Sequence, residues 1–291
     1  MHEDSPEDSY EAWLRDRVPP GGLSAKSTAV LDVLISQPRR ASFGSTADIA
    51  ELACVNVATV TRTAQALNFA GWPALQQQLR ARYLSALTAP EVAAEHGASS
   101  EQPCLASLRR DAESLAVSRR LSPDVFERIA RSVAGARTTL VVASGSYAAV
   151  GTALTHNISL AGYPATLITN VTELANASAR ITADDVLIAI SFWRLYESTV
   201  RAAQLARDRG ATVYAVSDAA SPALTEAADD VVLVPAEGVA FFPSLTAGTA
   251  VAHAIVAQLA AIDPDHTRAA VQAAEDQWAN FTLLHRSPRR S

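Results

Sequence analysis

The chain reads as two domains of different class: an all-helical N-terminal domain, then an α/β domain with a five-stranded parallel sheet and helices on both faces. Three observations predict this. Over residues 10–90, apolar residues recur at helical spacing and no Val/Ile-rich alternating run occurs. From residue 138 the period changes. TTLVVAS (138–144), PATLIT (164–169), DVLIAIS (185–191), ATVYAVS (211–217) and DVVLVP (230–235) are short, continuous apolar runs. Between them lie Ala-rich stretches with helical spacing, and strands buried on both faces by such helices have no polar side to alternate with.

In the first domain, LSAKSTAVLDVLISQ (23–37) sets Leu23, Val30, Leu31, Leu34 and Ile35 on one face, and Pro38 stops it. Short helices follow near 45–53 and 57–67, and a last one spans 73–87. The Pro/Gly/Ser/Glu-rich stretch 88–102 reads as a linker. Helices near 103–120 and 123–134 precede the sheet. Its crossovers are 146–161, 171–180, 196–209 and 221–228, then a long helix at 244–262 and a final one at 265–285. The expected division is 10–90 for the helical domain, 91–122 for linker and connecting helix, 123–262 for the sheet domain and 263–291 for the C-terminal helix and tail.

The chain has 291 residues, 49% hydrophobic and 19% charged, enough apolar content for a sizeable core. No run approaches the roughly 18 apolar residues of a membrane helix, so no membrane partner is expected. The acidic N-terminus is unlike a secretion signal. Cys54 and Cys104 fit neither a disulfide framework nor a zinc pattern. A cytoplasmic protein is expected. The net charge of −6 is unevenly spread. Residues 1–23 carry two arginines against six carboxylates. Residues 24–90 carry six cations against three carboxylates. Residues 122–262 carry eight arginines against twelve carboxylates. A basic module ahead of an acidic body suits a nucleic-acid reader with a separate domain, although solvated surfaces give the same balance.

STADIAELACVNVATVTRTAQALNF (45–69) holds two short helices with a tight turn between them, which is helix-turn-helix geometry. Asn56 is a good N-cap for a helix from Val57. At 100° per residue, Val57, Val60, Ala64 and Leu67 share one face, and Ala58, Thr59, Arg62 and Gln65 the other. Small residues with an arginine and an amide suit a major groove. An ordinary three-helix bundle fits the spacing equally. The expected DNA contacts are Thr46, Asn56, Ala58, Thr59, Thr61, Arg62 and Gln65, with Arg80 or Arg82 on phosphate.

Residues 23–87 resemble the N-terminal helix-turn-helix of the RpiR family of transcriptional regulators. The resemblance rests on Ala50, Cys54-Val55-Asn56, Thr59-Val60-Thr61-Arg62, Leu67-Asn68-Phe69 and Gly71-Trp72-Pro73-Ala74-Leu75. Cys54 and Asn68 stand where the family has glycine. A left-handed Cys54 costs roughly 1 kcal/mol, and Asn tolerates that conformation better. The resemblance implies a double-stranded DNA operator as partner and a sugar-isomerase-like (SIS), flavodoxin-like second domain.

Three strands end at serine: Ser144, Ser191 and Ser217. The carboxyl ends of parallel strands form the ligand crevice, and helix starts there attract anions. Helix capping is the plainer use of serine, but three at one edge favour a phosphate site. The pattern resembles the SIS domain, whose serine loops hold sugar phosphates. That implies ligand contacts at Ser144, Gly145, Ser146, Ser191, Arg194, Tyr196, Ser198 and Thr199. The second loop departs from the family: SFWRLYEST (191–199) keeps Ser191 but has no following glycine. Arg194 offers a fork for phosphate or carboxylate, or else pairs with Glu197 on the surface.

There is no G-x-G-x-x-G, P-loop or G-x-S-x-G, and the six histidines share no metal-ligand spacing. No metal or other cofactor is expected. A phosphosugar isomerase or deaminase is the alternative; Glu173 or Glu237, near strand ends, would be its base. The expected function is a non-enzymatic regulator sensing a small anion, a phosphosugar by resemblance. It would be a homodimer or tetramer, with the apolar helix 244–262 packed on a partner subunit.

Overall fold

The structure is a computed structural model describing residues 10–96, 102–239 and 241–283. The acidic start, part of the expected linker and the basic SPRRS end lie outside the described residues. The chain divides into two compact units. The first is discontinuous: residues 1–110 with Asp218–Pro222 and Pro235–Ser244. The second comprises Asp111–Ser217, Ala223–Val234 and Leu245–Ser291, so the boundary falls inside one helix.

The first unit contains α1 (Tyr10–Arg15), α2 (Ala25–Ser36), α3 (Pro38–Phe43), α4 (Thr46–Leu52), α5 (Val57–Ala66), α6 (Trp72–Ser85) and α7 (Ala89–His96). Local chemistry sets the boundaries. The Ser24 hydroxyl accepts from Ser27 N–H to open α2. Ser45 and Asp48 form a reciprocal capping box on α4, with Ser45 N–H donating to the Asp48 carboxylate at 2.7 Å. That hydrogen bonding from Ser45 holds the Asp48 carboxyl below its ordinary range. Pro38 does end α2, but it also occupies the first turn of α3, where its missing N–H costs nothing.

The α4–α5 turn is a Schellman motif. Val55 N–H donates to Ala50 O at 2.9 Å and Cys54 N–H to Glu51 O at 3.0 Å. Such a turn places its middle residue in the left-handed region, and Cys54 has φ 52°. α5 ends likewise: Phe69 N–H donates to Ala64 O at 3.0 Å, Asn68 N–H donates to Gln65 O at 3.0 Å, and Asn68 has φ 67°. Trp13, Leu14, Val30, Leu31, Leu34, Ile49, Val60, Leu67, Trp72, Leu75 and Leu79 bury together as the core. Trp13 is flanked by the Arg17 and Arg82 guanidiniums at 4.5 and 4.4 Å, and burial lowers the pKa of Arg17.

The stretch 88–102 is not all linker, because α7 lies in it. Thr88 N–H and hydroxyl both donate to the Glu91 carboxylate, at 2.7 and 2.6 Å, which caps the helix. Glu95 then meets Arg39 at 2.5 Å and the Tyr83 hydroxyl at 3.0 Å. These contacts hold a helix whose composition alone reads as loop.

After α8 (Pro103–Ser118) and α9 (Pro123–Gly135), the second unit alternates strands and helices. The strands are β1 (Thr139–Ala143), β2 (Ala165–Ile168), β3 (Val186–Ser191), β4 (Thr212–Ser217) and β5 (Asp230–Leu233). The helices are α10 (Ala148–Leu160), α11 (Val171–Ser178), α12 (Glu197–Asp208), α13 (Pro222–Thr225), α14 (Thr246–Ile262) and α15 (Pro264–Asn280). All strand pairs are parallel, in the order β2-β1-β3-β4-β5. α10 and α14 pack together with α9, while α11 and α12 pack together and α12 also meets β3 and β4. Every residue of β1 and β3 is buried, as their unbroken apolar sequences predict.

α14 uses its apolar content within its own unit. Ala247, Gly248, Val251, Ala252, Ile255 and Leu259 are buried, and α9 and α10 are its neighbours. Its composition therefore needs no partner subunit on that face, which corrects the reasoning from sequence. Among the described residues, no single helix is long and apolar enough to cross a membrane.

Candidate functional sites

The first candidate site is the outer face of α5. Asn56, at its N-cap, accepts from Thr59 N–H at 2.8 Å and from the Thr59 hydroxyl at 2.8 Å. The exposed residues are Asn56, Val57, Ala58, Arg62, Gln65 and Ala66; Thr61 is half-buried, as is Thr46 at the start of α4. Two placements differ from the helical projection. Thr59 is 4% exposed, not displayed on the polar face. Its hydroxyl donates to Asn56 and accepts from Arg62 Nη2 at 3.3 Å, so a polar side chain is satisfied inside. Val57, assigned to the buried face, is 49% exposed because it begins the helix; Thr63 takes the buried place, its hydroxyl bonded to Thr59 O at 2.9 Å. Arg62 lies back along its own helix, with Nε 3.3 Å from Ala58 O.

Arg80 and Arg82 are engaged elsewhere in the first unit. Arg80 donates to Ser42 O at 2.9 Å, pairs with Glu237 at 3.3 Å and stacks over Phe43. Arg82 donates to Ala220 O. Gln78, buried beside them, accepts from Ala220 N–H at 3.1 Å and donates to Asp218 O at 3.4 Å. The expectation that Arg80 or Arg82 meets phosphate is therefore corrected: their guanidiniums hold protein carbonyls and a carboxylate. Glu237 lies between Arg80 and Arg110, the latter at 3.7 Å, which makes it a structural counter-ion. Glu173 is an exposed first-turn residue of α11, its N–H capped by Asn170 at 2.9 Å.

The second candidate site is the carboxyl edge of the sheet in the second unit. The strand order changes direction between β1 and β3, so the loops leaving those two strands flank the crevice of an open α/β sheet. The β1 loop is Ser144-Gly145-Ser146, with Gly145 at φ 59° in a short 3-10 turn that opens α10. Gly145 and Ser146 are exposed and Ser144 is half-buried.

The β3 loop is rebuilt relative to its expected form. Ser191 is buried, and its hydroxyl donates to Arg194 O at 2.9 Å, closing its own loop instead of facing the crevice. Phe192 is fully buried, edge-on to Tyr147 at 5.6 Å. A Cβ on Gly248 would come within 2.8 Å of the Phe192 ring, so α14 needs glycine there. Trp193 takes φ 56°. Arg194 stacks its guanidinium 4.7 Å over the Trp193 ring. Glu197, the surface partner considered for it, pairs with Arg201 at 2.7 Å along α12. Tyr196 precedes α12 and gives it no side-chain cap. Ser198 is half-buried. Thr199 is fully buried, and its hydroxyl is without a hydrogen-bond partner among the described residues.

The structure thus gathers Gly145 and Tyr196, with Tyr147 beside them, and withdraws Ser191. Tyr147 is the residue that sequence reasoning missed. Its only signal is position, directly after the Ser-Gly-Ser turn. Among the described residues no group of three His, Cys, Asp or Glu side chains could hold a metal, and His156 and His253 are exposed helix residues.

Residues 132–263 match the SIS domain family. Among solved structures, the sugar isomerase domain of an RpiR transcription factor from Sphaerobacter thermophilus is 25% identical, covering 60% of this chain and 99% of that one, with a TM-score of 0.58. The Vibrio vulnificus NanR protein, solved with ManNAc-6P, is 20% identical, covering 96% of this chain and 100% of its own, with a TM-score of 0.60. A protein of E. coli CFT073 is 15% identical, covering 59% of this chain and 95% of its own, at a TM-score of 0.52. No curated protein matches the chain in sequence. The chain thus carries a SIS domain at 132–263 behind a helical N-terminal region.

Proposed function

We propose that the chain is a non-enzymatic transcriptional regulator whose α5 enters the DNA major groove and whose SIS domain senses a small anion, a phosphorylated sugar. One observation carries the DNA half: a Schellman turn sets α5 with Asn56, Ala58, Arg62 and Gln65 outward. Arg62, resting on its own helix through two 3.3 Å hydrogen bonds, can extend to a guanine edge at little cost. Thr46 and Thr61 flank that face, while Thr59 serves as the support beneath Arg62.

The ligand half is supported by the Ser144-Gly145-Ser146 turn at the sheet's switch point and by the ManNAc-6P bound to the NanR protein of similar fold. Ser146, Ser198 and Thr199 stand around that edge, and Arg194 supplies charge. The arginine partners of Glu237 speak against the isomerase alternative. Such a regulator works in the cytoplasm as a homodimer or tetramer, because one short recognition helix gains avidity from a paired head.

The test is selection of bound fragments from genomic DNA by the full-length protein, followed by titration of the selected site. Arg62→Ala should weaken binding by roughly 1–3 kcal/mol. An unchanged affinity would remove α5 from the groove. Sugar phosphates that raise the melting temperature bind the folded state; a ligand that is turned over would make the protein an enzyme. Light scattering at micromolar concentration, with and without DNA, reads the assembly, and a monomer in both would contradict the paired heads.

A further inference from the structure

The side chain of Tyr196 lies against the β1 turn. Its hydroxyl is 3.1 Å from the position a Cβ on Gly145 would occupy. Gly145 therefore serves twice: it takes φ 59°, and it leaves the room that the phenol fills. The ring has a fixed seat. It meets Tyr147 edge-on at 6.1 Å, and Tyr147 in turn meets Phe192 at 5.6 Å, which is locked against Gly248. Yet the ring is loosely held: Tyr196 is 45% exposed and its side chain makes no capping bond to α12.

We propose that Tyr196 is a gate over the Ser144-Gly145-Ser146 turn, closed in this structure and swung outward when an anion binds. The proposal rests on the anion-sensing reading above and concerns how that site is controlled. In the closed position the phenol covers the glycine at which a ligand oxygen would approach the backbone. In the open position it gives up one edge contact with Tyr147, and the Ser144 and Ser146 hydroxyls gain an uncovered neighbour. The gate also explains why this loop tolerates the loss of the Ser-Gly expected after Ser191. A tyrosine two residues beyond Arg194 now performs the exclusion, and its departure admits the ligand.

A site that is open for only a fraction of the time binds weaker by that fraction. Calorimetry with inorganic phosphate on the full-length protein compares wild type, Tyr196→Phe and Tyr196→Ala. With the gate closed about nine-tenths of the time, Tyr196→Ala binds phosphate about tenfold tighter than wild type. Tyr196→Phe falls between, because the hydroxyl is the atom nearest Gly145. Matching melting curves establish that the variants fold, and the Phe variant keeps the ring seat if the Ala variant does not. Equal affinity in all three overturns the gate and leaves the anion site standing. Tightest binding by wild type also overturns it, making the hydroxyl a ligand donor. Binding by none of the three overturns the anion reading, and the gate with it.

Discussion

The α4–α5 turn and the β3–α12 loop both hold a non-glycine residue in the left-handed region, Cys54 at φ 52° and Trp193 at φ 56°. The turn absorbs its substitution. Its two hydrogen bonds come from backbone N–H groups, which any residue but proline supplies, and the Cys54 side chain is exposed. The loop is remade by its substitution. Ser191 turns inward to Arg194 O, Arg194 stacks on Trp193, and Tyr196 covers Gly145. A requirement on backbone geometry can be met by many sequences at a modest strain. A requirement on ligand donors is met only by particular side chains, so changing them changes the site.

The strongest way to break this contrast is through the loop's anchor. Phe192→Ala should destabilise the protein by about 3–5 kcal/mol, since the ring is fully buried against Tyr147 and Gly248. Urea unfolding reads this, and a loss under about 1 kcal/mol would mean that the loop is not built on Phe192. The next effect concerns strain. Cys54→Gly should stabilise by up to about 1 kcal/mol, left-handed strain being relieved against a more flexible unfolded chain. Trp193→Gly should gain less, because it forfeits the Arg194 stacking. Equal gains in melting experiments would erase the distinction between the two places.

The smallest effect sharpens the contrast away from both loops. Burial raises the Tyr214 pKa, with a hydrogen bond to Ser132 acting the other way. A raised folded pKa means that stability is fully present below the unfolded value of about 10 and falls as pH rises towards the folded one. Tyr214→Phe should flatten that alkaline loss while leaving the neutral-pH behaviour of both loops intact. An unchanged slope in alkaline melts would place the titrating group elsewhere.

The sheet was legible because strands buried on both faces must be apolar throughout, and each run of Val, Ile and Leu became a strand within a residue or two of its expected ends. The turn and the cap of α5 were legible for a related reason: Asn56 acts on a neighbour three residues away. What escaped depends on which side chains satisfy one another. α7 is held by Arg39 and Tyr83 through Glu95, which no local pattern announces. Thr59 reads as an outward polar residue until Asn56 and Arg62 are seen to satisfy it. At the sheet edge, Ser144 to Ser146 could be located from the strand that precedes them. The fate of Ser191 could not, since it turns on how a loop without glycine folds back.

Gln78 and Arg80 of α6 bond to residues that lie far along the chain, at Asp218, Ala220 and Glu237. Synthesis runs from the N-terminus at about 5–20 residues per second. The helices of the first unit therefore leave the ribosome roughly 7–30 seconds before their last pieces, Asp218–Pro222 and Pro235–Ser244, exist. During that interval Gln78 has neither of its carbonyl and amide partners. The N-terminal unit, first to be started, is complete only when residues up to 244 have been made, and a chain ending before residue 218 would lack those last pieces.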